Sequence, residues 1–340
     1  MKLKPFSQVN LIKDKTGWVT SLESKALGKI LNNLEINVTT KKITTFQVCY
    51  LPDKYNALKK GMFFSLLQNR LAFDYYHGDP LISPEFNRIF KELLKKKKYF
   101  QRIRVSHSGI EELLLNEGLE NKVLRIPIGI DINLFPLQTP EMKENYRSQF
   151  NIPKSAFVIG SFQKDGDGWG KGNNPKLIKG PDIFLKTLRI LKPKIPELFI
   201  LLTGPSRGYV KNGLEKLKIP YIHHYPEEYS DIYKYYQALD AYIVSSREEG
   251  GPKAILESMA SGIPIFSTKV GQAQDLISHG ENGWISESES YESLAENVLK
   301  FFDNNIFNEV NKNKARFTAS NNTYDSQLAL WSEFFKPLLR

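Results

Sequence analysis

Ser245-Ser246-Arg247-Glu248-Glu249-Gly250-Gly251-Pro252-Lys253-Ala254-Ile255-Leu256-Glu257-Ser258-Met259-Ala260-Ser261-Gly262 is the most informative stretch of the chain. It follows Ala241-Tyr242-Ile243-Val244, an apolar run of strand length. Glu249-Gly250-Gly251 reads as a tight turn, Pro252 as the opening of a helix and Gly262 as its end. The glycines let a ligand approach the backbone closely. The helix N-terminus offers unpaired N–H groups and the positive end of its dipole. The segment therefore predicts an anion site, of a size that suits a diphosphate, at the C-terminal edge of a buried strand. Glu249 precedes the helix and Glu257 lies inside it. A rise of 1.5 Å per residue sets them ~10 Å apart, whereas carboxylate pairs that hydrolyse glycosides are usually ~5–9.5 Å apart. The two read as clamps on either side of a bound phosphate group, one for a sugar and one for a ribose.

The same strand–helix alternation extends in both directions. Towards the N-terminus, Gln8–Ile12, 36–40, 45–51, Leu71–Tyr76, Arg102–Val105 and Val123–Ile126 read as strands. Val19–Leu34 and Ser108–Glu117 have helical patterning, and Ser83-Pro84-Glu85 looks like an N-cap followed by Pro at the first helical position. The pattern weakens from Leu134 to Ser155, where Pro136, Pro140 and Pro153 mark the best linker candidate. A second series follows, with strands at Phe157–Phe162, Leu198–Thr203, Ala241–Ser245 and Ile263–Ser267, and helices at Pro181–Leu191, Ser230–Ala238 and Pro252–Ser261. Alternation of this kind predicts an α/β protein with two parallel-sheet domains, at 1–140 and 141–322, and a last segment at 323–340.

The chain has 340 residues, enough for two domains of usual size. Apolar residues make up 41%, which excludes a disordered chain. The longest apolar run, around Leu198-Phe199-Ile200-Leu201-Leu202, is far short of a membrane span. Met1-Lys2-Leu3-Lys4-Pro5 has no apolar stretch after it, so no signal peptide is expected. Cys49 is the single cysteine, which rules out an internal disulfide framework and fits a reducing, cytoplasmic compartment. The net charge of +10 is uneven: residues 1–140 hold 22 Lys+Arg against 13 Asp+Glu, and residues 141–340 hold 25 against 24. The front half should attract something anionic.

The opening stretch resembles the glutamate–seven residues–glutamate motif of retaining glycosyltransferases with the GT-B architecture, especially glycosyltransferase family 4. Gly262-Ile263-Pro264, Gly271–Ile277 and Gly280-Glu281-Asn282-Gly283-Trp284 agree with it, although Gln272 and Asp275 depart from the usual residues. Ile126-Pro127-Ile128-Gly129-Ile130-Asp131 resembles the family's approach to its linker, and Lys179-Gly180 its phosphate-binding pair. The resemblance covers residues 100–290. A Lys253–Glu257 helix ion pair and a Gly262 C-cap would account for one motif alone. They do not account for four in the right order.

The resemblance implies two Rossmann-like domains facing a central cleft, the first binding an acceptor and the second a nucleotide-sugar donor. It implies transfer of a sugar to a saccharide or lipid-linked acceptor, in cell-surface polysaccharide or glycolipid synthesis. The last helix, with Leu328, Trp331, Phe334 and Phe335, would cross back to the first domain. Glu249 would contact the donor sugar, Glu257 the ribose, and Gly250 and Gly251 the diphosphate or sugar. Lys179 would neutralise the leaving diphosphate. His77, after the strand Leu71–Tyr76, would face the donor sugar. Gly17, Gly160, Gly204 and Tyr225 complete the expected donor site. The family's Arg soon after the strand glycine is missing, since Gly160 is followed by Ser161-Phe162-Gln163-Lys164. Lys164 is the expected substitute. The long segment from Lys164 to Lys179 reads as a mobile flap with Lys171 or Lys176 reaching phosphate.

No resident cofactor or metal is expected. Asp165-Gly166-Asp167 imitates a metal motif, but Trp169 and Lys176 stand where calcium ligands belong. His107 reads as structural; His223-His224 has no metal-site spacing, and the resemblance implies that the Tyr221–Tyr225 stretch holds the nucleobase through backbone contacts. A helix over Pro84–Arg104, with Lys91 and the run Lys95, Lys96, Lys97 and Lys98, reads either as a solvated face over a buried stripe or as a surface that docks the protein at the inner face of an anionic membrane. Two other functions share parts of this pattern: a nucleotide-sugar 2-epimerase of the same fold, and a non-catalytic nucleotide-sugar or nucleic-acid binder. No aromatic RNA-stacking motif supports nucleic acid, and none is expected as a partner.

Overall fold

The computed structural model describes residues 5–12, 18–304 and 306–339, with the side chains of residues 18–21 outside the description. The chain divides into two compact units, Met1–Gly129 with Asn322–Arg340, and Ile130–Asn321. Expected Gly17 lies outside the described residues.

The first unit runs β1 (Gln8–Leu11), α1 (Trp18–Asn33), β2 (Asn37–Thr39), β3 (Val48–Leu51), α2 (Lys54–Leu66), β4 (Arg70–Asp74), α3 (Pro84–Lys96), β5 (Arg102–Val105), α4 (Ser108–Leu115) and β6 (Val123–Arg125). Its six strands are parallel, in the order β2-β1-β3-β4-β5-β6. Central β3 is buried along its length, as expected for a strand covered by helices on both faces. Ser83 caps α3 by accepting from the Phe86 N–H at 3.2 Å, with Pro84 in the first turn.

The expected helix over Pro84–Arg104 is shorter than its sequence suggested. It ends at Lys96, Lys97–Tyr99 form a 3₁₀ turn, and Arg102 begins β5. The cause is Phe100, which is fully buried and lies 4.6 Å from the ring of Phe73. Helix α2 has no counterpart in the sequence reading. Asp53 caps it, accepting from the Asn56 N–H at 2.7 Å.

The second unit runs α5 (Pro140–Gln149), β7 (Phe157–Ser161), α6 (Pro181–Leu191), β8 (Leu198–Leu202), α7 (Gly208–Leu217), β9 (Tyr221–His223), α8 (Ile232–Gln237), β10 (Ala241–Val244), α9 (Lys253–Ser261), β11 (Ile265–Thr268), α10 (Ala273–Leu276), β12 (Trp284–Ser286), α11 (Tyr291–Asn304) and α12 (Glu309–Ser320). Its parallel sheet has the order β12-β11-β10-β7-β8-β9. The linker candidate 134–155 therefore contains a helix. Thr139 accepts from the Met142 N–H at 3.1 Å, and Pro140 opens α5 rather than breaking the chain.

The last described elements are a 3₁₀ turn, Asp325–Gln327, and α13 (Leu328–Phe335), which carries the expected Leu328, Trp331, Phe334 and Phe335. Helix α13 belongs to the first unit, where Trp331, Phe334 and Phe335 surround the ring of Tyr50. Trp331 also covers Arg104, whose guanidinium lies 4.7 Å from the indole centre. Arg104 is buried, donating to Tyr76 at 2.7 Å and to the carbonyls of Ile126 at 2.9 Å and Pro127 at 2.7 Å.

Asp74 sits within this cluster, accepting hydrogen bonds from Tyr50 and from Tyr76. Burial pushes its carboxyl up to about 6, against the pull of Arg104. The folded state thus holds this proton more tightly than the unfolded chain does. The group's contribution to stability is complete below about pH 4 and is lost as pH rises through about 6. Across that window, the unfolding free energy of wild type relative to Asp74→Asn should fall by about 3 kcal/mol, with wild type favoured at the acid end. Urea titrations at a series of pH values measure this difference. A flat difference curve would mean that Asp74 ionises like an exposed carboxylate.

Candidate active site

In open parallel sheets, ligands settle beyond the C-terminal ends of the strands where the strand order reverses. In the second unit that point lies between β7 and β10. Residues from the two following loops meet there. Ser246 Oγ lies 2.9 Å from Glu249 Oε1 and 3.2 Å from Gln163 Oε1, and Gln163 Nε2 donates to the Lys179 carbonyl at 2.8 Å. Lys179 Nζ is 2.6 Å from Glu249 Oε2, with both side chains partly exposed. Helix α9 starts just beyond, capped by Pro252 in extended conformation. A cation, a carboxylate and a helix N-terminus thus converge at the switch point.

Lys179 is held there by backbone packing. Gly180 adopts the left-handed conformation at φ 60°, and a Cβ on it would stand 1.8 Å from the Ser245 carbonyl oxygen. Only glycine permits so close an approach. Ser245 Oγ donates to the Gly180 carbonyl at 2.9 Å, and the N–H of Arg247 donates to the Ile178 carbonyl at 2.8 Å. Arg247 clamps the outside, making 2.7 Å bonds to both oxygens of Asp182. Burial would raise the Asp182 carboxyl, but these bonds outweigh it and hold the group low. Gly271 performs the matching service for the glycine turn. At φ 48° its Cβ position would lie 2.6 Å from the Glu249 carbonyl and 2.7 Å from that of Gly250.

Glu257, on α9, is buried. Tyr229 donates to one carboxyl oxygen, and Tyr236 to the other at 2.8 Å. Burial raises its proton affinity, against the opposing influence of the tyrosine bonds and Lys253. Tyr229 opens the 3₁₀ turn before α8 and Tyr236 lies on α8 itself, so no single helical period in the sequence marks the pair.

The segment 164–179 is anchored, contrary to its reading as a mobile flap. Gly166 pairs with Pro175 in an antiparallel bridge, and the Lys171 and Gly172 carbonyls accept from Gly208 and Tyr209 at 2.8 Å each. Asp165 is committed to Arg207, an ion pair at 3.0 Å with both side chains buried. Arg207 in turn donates to the carbonyls of Ser161 at 2.6 Å and Thr203 at 2.8 Å, at the ends of β7 and β8. Arg207 and Arg247 were missed because both act through partners distant in sequence. Lys176 is half-buried; its ammonium is pushed low first by burial and then by Lys179 and Lys164, with Glu249 opposing. These lysines therefore share one electrostatic neighbourhood. Lys164 also lies 4.3 Å from the Trp169 ring centre, while Lys171 is exposed at the hairpin.

Gly160 lies inside β7, where an added Cβ would meet Leu239 at 2.5 Å. Gly204 follows β8 at φ 86°, and His223 Nε2 contacts its carbonyl at 2.7 Å. Tyr225 is exposed beyond β9. His77 belongs to the first unit, after β4, where Lys54 Nζ lies 3.4 Å from its Nδ1. His107 is the buried residue before α4, and His224 packs on Phe150. The four-lysine run is also divided. Lys96 turns inward to the Leu58 carbonyl and Glu92, each at 2.6 Å, and Lys97 reaches the Glu117 carbonyl at 3.1 Å.

Two six-stranded parallel α/β units with this strand order match the GT-B fold. The structure of Anabaena HepE in complex with UDP matches it with a TM-score of 0.75 over 98% of this chain and 100% of that one, at 16% identity. Residues 175–318 match the family model of glycosyl transferases group 1. A D-inositol 3-phosphate glycosyltransferase of Corynebacterium urealyticum is 26% identical over 57% of this chain and 47% of its own length. The N,N'-diacetylbacillosaminyl-diphospho-undecaprenol alpha-1,3-N-acetylgalactosaminyltransferase of Campylobacter jejuni is 27% identical over 80% and 69% respectively. The first three curated relatives are spanned over only 36–47% of their lengths.

Proposed function

We propose that this protein is a retaining, metal-independent glycosyltransferase of family 4. It moves a sugar from a nucleoside diphosphate to a saccharide or lipid-linked acceptor, in cell-surface polysaccharide or glycolipid synthesis. The bond from the sugar's anomeric carbon to the diphosphate breaks, and its electron pair stays on the phosphate oxygen. The acceptor oxygen bonds the same carbon from the same face, and its proton leaves with the diphosphate or to water. The observation that carries this reading is the Lys179–Glu249 pair at the β7/β10 switch point, beside the α9 N-terminus. Lys179, helped by Lys176 and Lys164, neutralises the leaving diphosphate, and Glu249 holds the sugar hydroxyls. Gly250 and Gly251 let the donor approach the backbone, and Gly204 and Tyr225 border the nucleotide. The protein works in the cytoplasm, held at the inner membrane face by basic residues of α3. Among the described residues, no helix is long and apolar enough to cross a membrane.

A panel of nucleotide sugars, read by thermal unfolding, tests the donor assignment. A donor at a hundredfold excess over its Kd should stabilise the fold by about 2.7 kcal/mol. With that donor and an acceptor, transfer should persist in EDTA. Loss in EDTA with rescue by Mn²⁺ would overturn the metal-independent reading. An epimerised nucleotide sugar formed without acceptor would replace transferase by epimerase.

A further inference from the structure

The first unit exposes an apolar surface that the sugar chemistry does not use. On α2, Tyr55, Met62, Phe63 and Leu66 all face outward, Phe63 at 59% and Leu66 at 73% exposure. Their spacing of seven, one and three residues puts them on one side of a helix with 3.6 residues per turn. The inner side of the same helix, with Ala57, Leu58, Gly61 and Phe64, is buried. The outer side of this helix therefore mixes large apolar side chains with exposed Lys59 and Lys60. Beyond α3, the loop leading into it adds Leu81, 91% exposed, and Ile82.

These two apolar elements flank a basic helix. Leu81 and Ile82 line a groove of about 870 Å³ with Arg88, Lys91 and Lys95. Tyr55 and Lys59 line a second groove, of about 390 Å³, against Arg88 and Lys96. Arg88 borders both, so α2, α3 and the loop form one continuous face. The acids there are engaged or at the edges: Glu92 is bonded to Lys96, Glu85 sits in the first turn of α3, Asp53 caps α2 and Asp79 accepts from the Leu81 N–H at 2.8 Å.

We propose that this face inserts into an anionic phospholipid bilayer, with Met62, Phe63 and Leu66 on α2 and Leu81 and Ile82 on the loop entering the acyl boundary. Lys59, Lys60, Arg88, Lys91 and Lys95 lie among the headgroups. Charge complementarity selects a lipid surface. Basic side chains beside protruding apolar ones match the layered boundary of headgroup and acyl chain, whereas a protein partner would need a shaped and mostly uncharged contact core. The inference rests on the membrane attachment proposed above and changes its physics. Attraction by lysines alone decays over ~8 Å at physiological salt. Inserted apolar side chains hold after the salt is raised.

Co-sedimentation of the full chain with vesicles separates the two ideas. Wild type should pellet with phosphatidylglycerol-containing vesicles at low salt, and a clear fraction should remain bound at 0.5 M salt. The triple variant Met62→Ser/Phe63→Ser/Leu66→Ser should keep low-salt binding and lose high-salt binding by on the order of tenfold. These residues are exposed, so its melting temperature should match wild type. A dye attached through Leu81→Cys should shift its emission to the blue with vesicles; buried Cys49, with its thiol pushed up to about 12, will not compete for the label. No pelleting of wild type at low salt would overturn membrane attachment as a whole. Low-salt binding that vanishes at high salt in wild type, or equal high-salt binding of the two proteins, would overturn insertion alone. Dimerisation of wild type, abolished in the triple variant and accompanied by an unshifted dye, would assign the face to a second copy and overturn it as well.

Discussion

Lys179→Ala should lower kcat/KM for sugar transfer by about 10²–10³-fold, with most of the loss in kcat. Charge develops on the diphosphate as its bond to the sugar breaks, and a fixed cation in a partly dry site stabilises the transition state more than the bound donor. Removing one such preorganised donor group typically has an effect of that size. Two features keep the loss from being larger. Lys176 and Lys164 lie in the same electrostatic neighbourhood, and the N-terminus of α9 remains in place. Lys179→Arg should recover only part of the rate, because Gly180 seats the residue against the Ser245 carbonyl and leaves the longer guanidinium little freedom to realign. The variant also frees Glu249 from its 2.6 Å partner, so donor affinity should change far less than turnover. Steady-state kinetics on the transfer reaction, with donor affinity measured separately, decide the matter. A kcat within threefold of wild type would remove Lys179 from the leaving-group role.

The glycine turn, the strand before it and the helix after it were legible in sequence because their signals are local. Gly262 ends α9 at φ 71°, and Ser83-Pro84 opens α3 with the cap its residue types predict. Helix α2 was illegible for a physical reason. Amphipathic periodicity marks a helix only when its outer side is polar, and the outer side of α2 carries Met62, Phe63 and Leu66. Phe100 misled in the opposite sense: it continues the apolar spacing of α3, yet it is buried against Phe73, after the helix has ended. At the site, the pairing of Lys179 with Glu249 joins residues from loops after β7 and β10, and only the sheet order brings those loops together. Asp165-Gly166-Asp167 looked like a cation motif in one dimension, but its first carboxylate serves a buried arginine from the loop after β8.

Glu257→Ala should weaken binding of the free nucleoside diphosphate by about 1–3 kcal/mol, the range for a lost hydrogen bond to a charged group. A carboxylate has about four acceptor positions. Tyr229 and Tyr236 each use one, on different oxygens. On the role proposed for Glu257, the remaining positions would accept from the two hydroxyls of a ribose. Because a ribose clamp acts whatever sugar is attached, the loss should be equal for the free nucleotide and for its sugar derivative. The analogous Glu249→Ala should instead discriminate between them, weakening the sugar nucleotide more. Acid should imitate the Glu257 variant. Burial raises this carboxyl's proton affinity, and once protonated it offers one acceptor fewer. Nucleotide affinity should therefore begin to fall, as pH drops, at a higher pH than an ordinary glutamate would produce, and the Glu257→Ala variant should lack that dependence. Tyr236→Phe keeps the carboxylate but loosens its aim, so it should show a smaller loss than Glu257→Ala while retaining the pH dependence. Calorimetric titration of the nucleoside diphosphate into each folded variant, at several pH values, measures all of these. Wild-type affinity in a folded Glu257→Ala protein would remove the ribose assignment and leave Glu257 as a buried anchor for the two tyrosines.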